Sequence, residues 1–158
     1  MTLPLGQGSS SWARTTRFAE LEWGMSRKKV LSMFASARTF PAHEGHDPRT
    51  REHVTVRESI FLPSSPPPVP GLLVFGSVTF DADGGLDSIT LKSAYPRPAE
   101  ATDAVMLLAA NKVLAALGLE AFSSLPTQRK TWHRKTTNIV FELDDECFWF
   151  ELSRVSAH

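Results

Sequence analysis

Across residues 72–93, LLVFGSVTFDADGGLDSITLKS, two apolar-rich runs flank a glycine-bearing turn, and this pattern predicts a β-hairpin near the middle of the chain. Leu72, Val74, Val78 and Phe80 fall on one face of the first strand, and Ile89 and Leu91 on the second strand can meet them across the turn. A sheet is expected to grow from this pair. Residues 54–62, VTVRESIFL, are rich enough in β-branched and apolar side chains to form a strand before it. Three more strands are expected at residues 127–133, 138–143 and 147–153. In the last two, Ile139, Phe141 and Leu143 share a face, as do Phe148, Phe150 and Leu152, leaving Val140, Glu142, Trp149 and Glu151 on the other.

Helical periodicity occurs twice. Ser26 is placed to cap a helix of about 10 residues whose apolar face is Val30, Leu31, Met33 and Phe34. A longer helix is expected over residues 99–117, with a stripe of Met106, Ala110, Val113 and Leu117 broadened by Leu107 and Leu114, and Gly118 as its stop. The order of short helix, strand pair, long helix and strand group reads as two helix-plus-antiparallel-strand units. It predicts an α+β fold: an antiparallel sheet with both helices on one face and the other face open. Residues 1–15, rich in Gly and Ser, are expected to form an N-terminal arm, with Trp12 docked on its own domain, and residues 16–158 a single domain. Residues 63–71, PSSPPPVPG, read as a stiff connection between strands.

Composition narrows the class. The chain has 158 residues, 42% of them apolar, which suits one domain with a substantial core. Lys plus Arg equals Asp plus Glu at 17 each, so no global field draws the protein to nucleic acid or an anionic membrane. Cys147 is the only cysteine, which excludes an internal disulfide framework and suits a reducing compartment; between Glu146 and Phe148 it reads as a strand-edge thiol. No run approaches the length of a membrane helix, and residues 1–17 lack the regions of a signal peptide, so a cytoplasmic location is expected.

Candidate chemistry is sparse. Arg27, Lys28 and Lys29 occupy the first turn of the short helix, where the dipole favours carboxylates; a solvated surface tolerates this. Residues 40–53, FPAHEGHDPRTREH, hold three of the five histidines, but His43 and His46 are three apart and Gly45 and Pro48 oppose the helix that a zinc-protease motif needs, so a solvated loop is expected rather than a metal site. The turn at residues 81–87 carries alternating carboxylates but lacks the closing glutamate of a calcium loop. Gly6-Gln7-Gly8 leads into serines rather than a phosphate-binding helix, and no compact set of nucleophile, base and orienting group is evident. No enzymatic activity, cofactor or metal is therefore expected. Basic residues flank Trp132 over residues 129–135, but Asp144, Asp145, Glu146 and Glu151 follow closely, which favours a mixed-charge hairpin over a nucleic-acid surface.

One resemblance adds to this reading. Trp23-Gly24-Met25-Ser26 followed by Val30, and then Val78-Thr79-Phe80-Asp81 leading to Gly85-Leu86 and Ile89, resembles the signature of small bacterial helix-and-hairpin modules. Such modules occur in outer-membrane assembly lipoproteins of the SmpA/OmlA type and in secreted β-lactamase inhibitor proteins; similar patterns occur in cytoplasmic immunity proteins of bacterial toxin systems. The resemblance covers about residues 22–89. The chain departs from the first two groups in showing no lipid-accepting cysteine, export signal or disulfides. The resemblance implies a non-enzymatic binding protein, most specifically an immunity protein that neutralises a cognate toxin. Trp132, Arg134, Glu142, Trp149 and Glu151 are the residues expected to hold the protein partner. The alternatives are a self-associating structural or accessory protein, and a nucleic-acid-binding domain.

Overall fold

The computed structural model describes residues 12–13, 16–34, 36–47, 50–56, 58–63, 67–94 and 96–155. Its elements in chain order are a short 3-10 turn (Phe18–Glu20), α1 (Arg27–Met33), β1 (Arg38–Phe40), β2 (His43–His46), β3 (His53–Val56), β4 (Ser59–Pro63), β5 (Val74–Phe80), β6 (Leu86–Ser93), α2 (Asp103–Ala116), β7 (Lys130–His133), β8 (Thr137–Leu143) and β9 (Phe148–Arg154). Seven strands form one sheet in the order β1-β4-β5-β6-β9-β8-β7, with every neighbouring pair antiparallel. The expected hairpin is β5–β6, and β6 is the middle strand of the sheet. On either side of the β6–β9 pairing stand two three-stranded meanders, β4-β5-β6 and β7-β8-β9, each preceded by a helix. The protein is therefore α+β, built from the two units read in the sequence.

Parity decides which face is covered. Ile60, Leu62, Val74, Val78, Ile89, Leu91, Ile139, Phe141, Phe148, Phe150 and Leu152 are all buried and all belong to one face by register. The same core includes Val30 and Met33 of α1 and Met106, Ala109, Ala110, Val113 and Leu114 of α2, so the helices cover that face. Phe141 anchors the aromatic part of this layer, with ring centroids 4.9 Å from Phe150 and 5.0 Å from Phe122. On the opposite face no described side chain is fully buried.

The helix boundaries follow their caps. Ser26 accepts a hydrogen bond from the Lys29 N–H, and Thr102 accepts one from Val105, so α2 starts at Asp103 rather than at residue 99. Gly118, at φ 71°, ends the second helix. α1 is shorter than expected, stopping at Met33, with Phe34 buried just beyond. Its basic first turn is answered by Glu58, whose carboxylate lies 3.0 Å from the Arg27 guanidinium. Trp12 is buried edge-on against Phe18 at 5.5 Å, as expected for a tryptophan docked on its own domain.

Two expectations fail. Residues 54–62 form not one strand but two: among the described residues β3 pairs only with β2, whereas β4 joins the main sheet. The histidine-bearing segment is correspondingly a hairpin rather than a loop, because β2 offers β3 a partner before the chain reaches β4. Cys147 stands directly ahead of β9, and its side chain is buried. Its burial raises the thiol pKa, so the thiolate form is disfavoured.

The residues of the Trp-Gly-Met-Ser turn and the Gly-Leu hairpin, some 60 positions apart, meet in space. Gly24, at φ 83°, donates its N–H to the Leu86 carbonyl, Leu86 donates to Met25, and Ser26 bridges Gly85. Trp23 donates its indole N–H to the buried Thr137 hydroxyl at 2.8 Å, fastening the same turn to β8. A Cβ at Gly85 would stand 3.1 Å from the Gly24 Cα, a tight contact against backbone that the Gly24 turn could relieve only by shifting a few tenths of an ångström. Gly85→Ala is therefore expected to destabilise the protein by about 1–3 kcal/mol in urea unfolding, the usual cost of forcing atoms into a packed contact. An unchanged midpoint would show that the turn is free to move away.

Candidate protein-binding face

The open face of the sheet is a grid whose rows can be read from the pairing. In one row Phe75 is opposite Lys92, Lys92 opposite Trp149, and Trp149 opposite Glu142. The Arg129 guanidinium, 4.0 Å from the Glu142 carboxylate, closes the row just before β7. The next row holds Phe61, Ser77, Thr90, Glu151 and Val140. Opposite residues on neighbouring strands bring their Cβ atoms within about 5 Å, so each row is a continuous surface. Aromatic and charged side chains thus alternate along the first row across the middle of the sheet. At the β1 edge, Phe61 lies 4.9 Å from Phe75 and 6.3 Å from the exposed Phe40, extending the aromatic surface.

Three of the five expected partner-binding residues lie on this face. Trp149 sits half-buried at its centre, Glu142 is beside it with only 17% of its side chain exposed, and Glu151 is exposed one row away. Arg134 is not among them: it is exposed in the β7–β8 turn, and its N–H bonds to the carbonyl of buried Thr137, a pairing with the parity of Trp132 and Ile139.

Trp132, contrary to expectation, also lies off the open face. Its register partner is Ile139, which puts it on the covered face, where its ring stacks on Phe122 at 6.2 Å and packs against the core. The two tryptophans therefore do not share a surface. The expectation failed because the β7 register could not be fixed without the turn that follows it, and a shift of one residue exchanges faces.

Sequence reasoning also passed over Phe61, Phe75 and Lys92. The signal for Phe75 was present: it alternates with Val74, so placing Val74 in the core sends Phe75 to the other side. The same alternation places Phe61, between buried Ile60 and Leu62, on the open side.

Other groups are committed to structure. A cleft of about 420 Å3 lined by Arg97, Asp103, Leu125 and Asp144 lies beside the β8–β9 turn. There Arg97 is already paired with Asp103 at 2.8 Å. Burial pushes the Asp144 pKa upward, but the N–H groups of Cys147 and Glu146, each 2.8 Å away, outweigh it and hold the carboxyl below its ordinary value. Asp81 accepts N–H bonds from Asp83 and Gly85 in the same manner, so its carboxylate shapes the β5–β6 turn. Among the described residues no group of three or more His, Cys, Asp or Glu side chains is arranged to hold a metal ion, and no helix is long and apolar enough to cross a membrane. Comparison of the chain with protein-family models, with curated proteins and with solved structures returns no match.

The two tryptophans are expected to separate by mutation. Trp132→Ala removes a ring stacked against the core and should cost about 2 kcal/mol or more of stability. Trp149→Ala, on the open face, should cost less than about 1 kcal/mol and leave the circular dichroism spectrum unchanged. Equal losses in urea unfolding would place both in the structural core.

Proposed function

We propose that this protein binds and neutralises a protein partner through the open face of its sheet, most specifically as an immunity protein against a cognate toxin. The observation that carries the reading is the row Phe75, Lys92, Trp149, Glu142 and Arg129 on a face covered by neither helix. Half-buried aromatic side chains bordered by charge have the composition of interface hot spots: the rings supply buried area, and the charges set orientation and encounter rate. A rigid antiparallel sheet presents these groups without loop ordering, which lowers the entropic cost of binding.

Glu142 and Glu151 give the face its acidic component, and Lys92 and Arg129 its basic one, so a partner is selected by charge pattern rather than net charge. The net charge of the chain is zero, which fits recognition by local complementarity.

The experiment is affinity capture on immobilised wild-type protein and on a Trp149→Ala/Glu151→Arg variant, followed by co-expression of the captured protein with each form. The expected result is one stoichiometric protein retained by the wild type, lost by the variant, and toxic to cells unless the wild type is present. Equal retention by both forms would overturn the assignment to this face. A retained protein that is harmless when expressed alone would overturn the neutralising role.

A further inference from the structure

The β2–β3 hairpin sets two of the three histidines of residues 40–53 directly opposite each other. Glu44, His46, His53 and Thr55 share one face of it, with Glu44 opposite Thr55 and His46 opposite His53. Asp47 donates its N–H to the Glu52 carbonyl, which marks 47 and 52 as a hydrogen-bonded pair. The next pair, His46 with His53, is therefore a non-hydrogen-bonded pair, the kind in which opposing side chains approach most closely. Their ring centroids are 5.6 Å apart.

We propose that His46 and His53 form a two-imidazole chelate for a divalent transition metal such as Zn2+ or Cu2+. With metal–nitrogen bonds of about 2 Å, two imidazoles at neighbouring positions on one metal place their ring centroids roughly 5 Å apart, close to the 5.6 Å between these two rings. Imidazole is the ligand these metals prefer among those present here.

Glu44 supplies the supporting contact that metal-binding histidines usually have. Its carboxylate lies 3.1 Å from His53 Nε2 and accepts a hydrogen bond from the Thr55 hydroxyl at 3.2 Å. A carboxylate at Nε2 fixes the proton there and leaves Nδ1 free to bind the metal. All three side chains are exposed, so a metal ion has access and water can complete its coordination.

The hairpin also gives such a site a consequence. β2 and β3 pair only with each other among the described residues, and an isolated two-stranded hairpin is marginal in water. A metal bridging the two strands would act as a clip that holds their register. His43 provides an internal control, because its strand position places it on the other face of β2, and its Nδ1 lies 3.1 Å from the Pro41 carbonyl.

The test uses untagged full-length protein titrated calorimetrically with ZnCl2, with amide hydrogen exchange measured in parallel. The expected result is a saturable one-to-one isotherm with slower exchange of the β2 and β3 amides. Saturable binding should be lost in His46→Ala and in His53→Ala, weakened about tenfold in Glu44→Gln, and retained in His43→Ala. Zinc binding of equal strength in the wild type and in a His46→Ala/His53→Ala double variant would overturn the proposal, as would zinc binding that leaves β2–β3 exchange unchanged.

Discussion

The structure depends on a strict division between the two faces of one antiparallel sheet. Across the strands β4, β5, β6, β9 and β8, the alternation of side chains delivers aliphatic and phenylalanine residues to one side, and α1 and α2 close over that side. Each fully buried aliphatic or aromatic side chain contributes about 1.5–3 kcal/mol relative to exposure, so a register slip that exchanged faces would forfeit most of the driving force for folding. The same constraint frees the other face. Residues there need only tolerate a strand.

The second organising feature is the junction at Gly24 and Gly85. A sheet with helices on one side needs the helix to enter at a fixed angle, and here the entry is set by backbone pairing between the turn before α1 and the turn of the β5–β6 hairpin. Two glycines in contact permit the approach, and the Trp23 indole anchors the turn to β8. The short motifs noticed in the sequence thus have a physical meaning: residues distant along the chain form one joint between the helix and both halves of the sheet.

Much of the fold was legible because it rests on local signals. The β5–β6 hairpin, the capping serine of α1, the stripe of α2 and the Gly118 stop are each encoded within a few residues. The failures share a cause in partner choice. Nothing between residues 54 and 62 shows that its first half pairs backward with β2 while its second half joins the main sheet, because that depends on what each half meets in space. Trp132 was misplaced for a related reason: four residues of edge strand carry too little apolar alternation to fix a register. The candidate face was accordingly legible at Trp149, Glu142 and Glu151, whose strands are long and regular, and was missed at Phe61. The segment's histidines were visible in the sequence, but that His46 faces His53 depends on the β2–β3 pairing, which spacing along the chain does not reveal.

The central claim is that recognition belongs to the uncovered face. It is tested most directly by amide hydrogen exchange on the complex with the captured partner, compared with the free protein. New protection is expected to concentrate in β6, β8 and β9, around Lys92, Glu142, Trp149 and Glu151, with exchange in α1 and α2 unchanged. Protection confined to the outer surfaces of α1 and α2, with the central strands unaffected, would contradict it.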